Sequence, residues 1–260
     1  DKEKSDFYVK LISFNNKKIE IENKKQCDSI SAELKNGTFE VSNVKSSKKI
    51  KNQLPPFTTS TLQQDAYKKL NFSTRRTMSV AQQLYEGVEV KGHGSIGLIT
   101  YMRTDSMRVS MEAKLASKEF IVKNYGENFA PQNFRVFKSK KNIQDAHEAI
   151  RPTYIELTPE IVKGSLKPEQ YKLYNLIWRR FIASQMSSAI LNIKSIDIKN
   201  GKYSLRTTHS TVGFEGFMKI YDYSLPEETD DSKVPELVLG DRLNLKSIDE
   251  KQHFTQPPAH

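Results

Sequence analysis

Hydrophobic positions change their spacing twice along the chain. Over residues 7–22, Phe7, Val9 and Leu11, then Ile19 and Ile21, alternate with polar neighbours on either side of Asn15-Asn16. A period of two around a turn-forming pair predicts a β-hairpin. Phe39 and Val41 continue the alternation through residues 37–44, residues 46–53 are basic and polar, and Pro55-Pro56 stops any regular element. From Thr58 the period becomes helical: Ser60 with Gln63 reads as a capping box ahead of Leu62, Ala66, Tyr67 and Leu70 on one face. Further helices are expected over residues 78–85 and over 111–125, the latter between Ser110 and Gly126 as caps. Between them lie a flexible loop over 87–97, containing Gly92 and Gly94, and a short apolar strand at 97–100. The strongest helical pattern runs over 168–185, where Tyr171, Tyr174, Ile177, Trp178, Phe181 and Ile182 form one stripe that reads as core. Period two returns over 189–198, with a slip among Ile190, Ile193 and Ile196 that fits a bulge, and continues through 203–205, 214–223 and 237–248. Glu227 to Asp231 reads as a solvated acidic loop, and no internal repeat of solenoid period is present.

Strands toward both ends with helices between them predict an α+β chain of two domains. One is a β-rich arch built from residues 1–54 and 189–260, and the other a mainly helical domain over 55–188. Thirteen Phe, eleven Tyr and the aliphatic runs among 260 residues can bury enough surface to fold despite 28% charged residues. No run approaches about 18 apolar residues, so no membrane partner is expected, and Asp1 to Lys4 lack the apolar stretch of a secretory leader. A single cysteine, Cys27, excludes a disulfide framework and a thiolate metal cluster and suits a reducing cytosol.

Charge narrows the class of partner. The net charge is +10, distributed as +4 over residues 1–54, +8 over 55–188 and −2 over 189–260, and eight of the ten arginines lie in the middle stretch. Arginine reads phosphate bidentately, so that stretch is the candidate nucleic-acid reader; the alternative is plain solvation by a lysine-rich composition. Lys138, Lys140 and Lys141 fit a phosphate-facing stretch or an exposed loop.

The candidate chemistry sits where an apolar run meets a polar one. Ile99 and Thr100 lead to Tyr101, and Arg103 follows two residues later, on the same face if the chain stays extended. A phenol of ordinary pKa near 10 is mostly protonated at neutral pH. A neighbouring cation favours the phenolate and can stabilise charge building on an attacked phosphate. Taken alone, a tyrosine at a strand end is more often a structural amphipath than a nucleophile.

The run Ile99-Thr100-Tyr101-Met102-Arg103-Thr104-Asp105-Ser106 resembles the active-site tyrosine motif of type IA DNA topoisomerases. Three further blocks agree in order and spacing. Pro56 to Gln64 resembles the segment leading into the tyrosine domain, Gln144 to Pro152 the histidine motif, and Gln252 to Pro258 the segment leaving the arch. Met102 favours the bacterial topoisomerase I branch over topoisomerase III, which usually has proline there. The resemblance implies a single-strand-breaking isomerase that relaxes negative supercoils without ATP. Tyr101 attacks a phosphodiester, leaving a 5′-phosphotyrosine and a free 3′-hydroxyl; the other strand passes, and the hydroxyl reverses the link. It implies that Arg103 contacts the scissile phosphate and that His147 contacts DNA near it. Gln82 and Glu86 match further DNA-binding positions. Arg151 matches the histidine motif, with its role open between a phosphate contact and a structural ion pair, and lies one turn from His147 if that segment is helical. The loop over 87–97 is longer than in some members of the family.

The family's Mg2+ chemistry uses an Asp-x-Asp-x-Glu cluster in a toprim domain, and its zinc ribbons use cysteine pairs; this sequence has neither. The expectation is therefore a central fragment whose Mg2+ ligands lie outside this chain and which does not relax DNA unaided. It would be monomeric, with single-stranded and negatively supercoiled DNA as partners in the bacterial cytoplasm, at the nucleoid. The competing reading is a non-catalytic single-stranded-DNA-binding or structural arch module. A tyrosine recombinase or type IB enzyme expects an Arg-His-x-x-Arg constellation, which is absent.

Overall fold

The computed structural model describes residues 6–137, 147–221 and 234–252. The readings placed on residues 1–4, 138–141, 144–146, 227–231 and 253–258 lie outside those residues. In chain order, the first elements are β1 (Lys10–Phe14), β2 (Lys17–Lys18), α1 (Lys24–Asn36) and β3 (Phe39–Lys51). Then come α2 (Thr59–Leu70), α3 (Thr74–Glu86), β4 (Val88–Val90), β5 (Gly94–Ile96), α4 (Met111–Tyr125), α5 (Pro159–Val162) and α6 (Pro168–Gln185). The last are β6 (Ala189–Asn200), β7 (Tyr203–Phe214) and β8 (Arg242–Leu243). The fold class is α+β. No described helix is long and apolar enough to cross a membrane.

Two compact units divide the chain: residues 1–49, 191–211 and 224–260, and residues 50–190 and 212–223. The first is built on a six-stranded sheet of order β2-β1-β7-β6-β3-β8. Its opening hairpin turns at Asn15 and Asn16, both left-handed with φ of 49° and 61°, as a two-residue turn between right-twisted strands requires. Ile30 and Leu34 of α1 pack with Phe39, Val41, Ile196, Ile198, Tyr203 and Leu205 to form this unit's core. Helix α1 has no counterpart in the sequence reading. Only Ile30, Ser31 and Leu34 on it are buried, too sparse a stripe to register as a period, although Asn23 caps it by accepting from the Gln26 amide. Of the strand expected over 237–248, only Arg242 and Leu243 pair, antiparallel to β3.

The second unit is organised on α6. Leu173, Tyr174, Ile177, Trp178, Phe181 and Ile182 are buried against Leu62 and Ala66 of α2, Val80, Ala81 and Leu84 of α3, and Ile121 of α4; of the stripe read from the sequence all but Tyr171 is core, and Tyr171, in the first turn of α6, is half-buried with the Lys163 ammonium over its ring. Its aromatic tips are satisfied rather than stranded: Tyr174 donates to the Leu157 carbonyl at 2.6 Å and Trp178 to that of Ile155 at 3.0 Å. Burial pushes the Tyr174 phenol well above its ordinary pKa.

Other elements shift for local reasons. The capping box joins Thr58 and Thr61 rather than Ser60 and Gln63, so α2 starts at Thr59. The loop over 87–97 is a hairpin in which Val88 pairs with Ile96 and Val90 with Gly94. Gly92 and Gly94 there adopt φ of +83° and +71°, and Val90 is buried. After Phe214, Gly216 adopts φ +49° with the Ser187 and Ser188 carbonyls 2.6 Å from where a Cβ would lie. A β-branched strand cannot run through so close a contact, and a short 3-10 turn, Gly216–Lys219, replaces the expected strand. Residues 50–54 and 212–221 group with the helical unit, whereas the sequence pattern places them in the arch.

One buried cation ties the unit's segments together. The Arg180 side chain, 5% exposed, donates to the Pro55 carbonyl at 2.7 Å, pairs with Asp65 at 3.2 Å, and donates to the Tyr221 hydroxyl at 3.1 Å. Its guanidinium lies over Phe57 at 4.7 Å and Tyr221 at 5.3 Å. Burial and the hydrogen bond to Asp65 raise the Tyr221 phenol far above its ordinary pKa. Removing one member of such a cluster leaves the other charge buried and unmatched. Arg180→Ala should therefore destabilise the chain by about 3–5 kcal/mol in urea unfolding, and a loss below 1 kcal/mol or so would show the cluster to be incidental.

Candidate active site around Tyr101

The segment bearing Tyr101 is extended yet joins no sheet; Ile99 makes one isolated bridge, to Pro152. Its amides find partners in remote pieces of chain. Leu98 donates to the Leu84 carbonyl at 2.8 Å, Thr100 donates to that of Arg151 at 2.9 Å, and Thr153 donates back to Leu98 at 3.0 Å. The Thr100 hydroxyl closes this arrangement, donating to the Ala149 carbonyl at 2.7 Å and accepting from the Arg151 amide at 3.0 Å. The strand expected at 97–100 is thus a strut between the end of α3 and residues 149–153. Gly97 is required at its start, because a Cβ there would lie 2.5 Å from the Tyr85 carbonyl oxygen.

Beyond Tyr101 the chain bends at Met102-Arg103. Met102 is fully buried and anchors the bend. The Thr59 hydroxyl donates to the Met102 carbonyl at 2.8 Å and accepts from the Thr104 amide at 2.8 Å, while the Thr59 amide donates to the Thr104 carbonyl at 2.9 Å. Thr104 and Ser106 are buried, whereas Arg103 and Asp105 are exposed. Met102 and Arg103 thus form a bend, whereas the expected place of Arg103 on the face of Tyr101 requires extended chain. No hydrogen bond or cation–π contact joins Tyr101 and Arg103, and Arg103 has no ion pair among the described residues.

Tyr101 itself is half-buried and held by rings. Tyr85, at the end of α3, meets it edge-on with centroids 5.4 Å apart at 67°, and His147 lies 5.1 Å away at 36°. Among the described residues its hydroxyl has no hydrogen-bond partner. The structure therefore brings Tyr101 and His147 together and leaves Arg103 on the adjoining bend. Residues 147–151 are not helical, so Arg151 is not a helical turn from His147. Its Nε and Nη2 both donate to Glu148 Oε2, at 3.0 and 2.5 Å, and Nη1 donates to the Pro152 carbonyl at 3.0 Å. Gln82 donates to Glu86 one turn along α3, and neither bonds to Tyr101, Arg103 or His147.

Three residues of this constellation escaped the sequence reading: Tyr85, Thr59 and Glu148. Tyr85 touches Tyr101 only because the α3 terminus is pinned to Leu98, and nothing local signals that contact. Thr59 had a signal, a threonine run at the start of a helix, but its clamp on Met102 and Thr104 spans more than forty residues. Glu148 lay within the recognised block and only its ion pair was missing. Among the described residues no three His, Cys, Asp or Glu side chains converge to hold a metal ion. The described residues therefore do not fit a Mg2+ site.

Gly97→Ala should push the Tyr101 segment off the Tyr85 carbonyl, lowering stability by about 1–3 kcal/mol and shifting the His147 ring proton resonances in NMR spectra. Unchanged resonances would mean that the close approach does not set the ring geometry.

A family model described as DNA topoisomerase matches residues 2–260. Among solved structures, the full-length topoisomerase I from Thermotoga maritima resembles this chain with a TM-score of 0.72 and 35% sequence identity, over 90% of this chain and 36% of that one. The chain thus spans little more than a third of the length of the protein it resembles. With a match across nearly every residue and that level of identity, the chain belongs to the bacterial type IA DNA topoisomerase family.

Proposed function

We propose that this chain is the tyrosine-bearing part of an ATP-independent topoisomerase that breaks one DNA strand, lets the other pass and reseals it, relaxing negative supercoils. The carrying observation is Tyr101: a phenol packed against two rings, with no hydrogen-bond partner for its hydroxyl among the described residues and, on the next bend, an arginine with no ion pair among them. The Tyr101 oxygen attacks phosphorus and gives up its proton, the bond from phosphorus to the 3′-oxygen breaks, and that oxygen leaves as a hydroxyl after taking up a proton. One phosphate ester replaces another, so the return step needs no nucleotide. Arg103, with no acidic partner among the described residues, is suited to bind the phosphate as negative charge builds on its oxygens. His147 orients the phenol through its ring and contacts the strand. Arg151, one of the residues assigned to DNA binding, serves through its pair with Glu148 by holding residues 147–153 in place. Gln82 and Glu86 line the strand's path along α3.

The helical unit is then the tyrosine domain and the β-rich unit the arch. Mg2+, used by the whole enzyme to stabilise phosphate charge, would be held by residues beyond those described. The chain would act as a monomer on single-stranded and negatively supercoiled DNA in the bacterial cytoplasm, and by itself would not relax DNA.

The test is an adduct assay. The chain is mixed with a toprim-containing portion of a type IA enzyme, Mg2+ and a 3′-labelled single-stranded oligonucleotide, then denatured and mapped by mass spectrometry. A 5′-phosphotyrosine on the Tyr101 peptide is expected, absent in Tyr101→Phe and formed about 10²–10³-fold more slowly in Arg103→Ala. An adduct that survives Tyr101→Phe would move the nucleophile to another residue and overturn the role of Tyr101, and no adduct under complementation with oligonucleotide still bound favours the non-catalytic binding module instead.

A further inference from the structure

A cavity of about 220 Å³ opens in the helical unit, lined by Arg108, Lys114 and Arg135 together with the apolar side chains of Val109, Val136 and Phe137. Its lining carries three cations and no carboxylate. Arg76, Arg151, Arg179 and Arg180 are each paired with a carboxylate. None of the three cavity cations has an acidic partner among the described residues. Arg135 is bonded only by neutral oxygens: its Nη1 reaches Asn52 Oδ1 at 3.0 Å, Gln53 Oε1 at 2.7 Å and Ser188 Oγ at 3.4 Å. Those contacts fix the guanidinium without neutralising it. Three unneutralised cations over low-dielectric walls focus a positive field, and the occupant that answers it is an anion. At about 30 Å³ per water the space holds roughly seven waters, which suits a phosphate with its sugar.

The cavity wall is continuous with the site already described. The Arg108 amide donates to the Ser106 hydroxyl at 3.1 Å, and the Arg108 carbonyl accepts from the Ala149 amide at 2.9 Å. The wall is thereby fixed to the Tyr101 bend on one side and to the His147 segment on the other. We infer that this cavity binds a second, non-scissile backbone phosphate of the single-stranded DNA, with Arg108 and Lys114 closing on the anion and Phe137 against the sugar. The inference rests on the reading of the chain as DNA-acting, but not on Tyr101 being the nucleophile.

Oligonucleotide binding to the 260-residue chain, followed by fluorescence anisotropy across a salt series, tests it. The Arg108→Gln/Lys114→Gln double variant spares Arg135 and its bonds. It should bind about tenfold more weakly near physiological salt, with the slope of log K against log salt reduced by about 1.4, the loss of two single-strand phosphate contacts. A control double variant, Lys35→Gln/Lys123→Gln, should leave the slope unchanged. Val136→Glu, at a position 75% exposed, sets a carboxylate at the mouth without removing any cation and should weaken binding likewise. A wild-type slope in the double variant, or wild-type affinity in Val136→Glu, overturns the inference. Should the slope fall while the adduct assay fails, only the catalytic reading is lost; should the adduct form with the slope intact, only this site is.

Discussion

Buried amides must be satisfied, and around Tyr101 there is no sheet to satisfy them. That constraint governs the helical unit. The chain from Leu98 to Arg108 borrows its partners from the end of α3, the start of α2 and residues 149–153, and two threonine hydroxyls, Thr59 and Thr100, close the gaps that main-chain bonds leave. Each hydroxyl both donates and accepts, which a serine-sized polar tip on a rigid β-branched stem does with little rotamer freedom to lose. A tyrosine on such a strut is located by three separate elements, as a residue positioned to react with a substrate needs to be.

The arginines divide by the same logic. Arg180 is spent inside the fold, joining Pro55, Asp65 and Tyr221 and so fixing the turn that delivers Thr58 and Thr59. Arg151 is spent on Glu148 and Pro152, beside the very amide that Thr100 receives. Among the described residues, Arg103, Arg108 and Arg135 keep their charge free of acidic partners on the stretch that carries Tyr101. A net charge of +10 is therefore less informative than the list of cations without a carboxylate, since only these can meet phosphate without first breaking a pair.

Ring contacts locate Tyr101 without engaging its oxygen. Edge-on and tilted aromatic packing restricts the phenol's orientation while leaving the hydroxyl available to an incoming group, whereas a strong hydrogen bond from the fold would compete with it. On the proposed chemistry this suits a nucleophile that must also serve as a leaving group, because the same contacts persist through cleavage and resealing.

Local information was enough for the elements that are locally determined. Helix α4 between Ser110 and Gly126, helix α6 with its apolar stripe, the Asn15-Asn16 hairpin and the Tyr101 motif were all legible, because caps, turn residues and hydrophobic periods act over a few residues. Helix α1, the hairpin of β4 and β5 and the turn after Phe214 were not, since sparse burial or one close backbone contact decided them. Which face Arg103 presents, what Arg151 binds, and that Tyr85 touches Tyr101 belong to the tertiary structure alone. These depend on carbonyls and carboxylates brought near from distant parts of the chain, and neither composition nor period encodes which of them will meet.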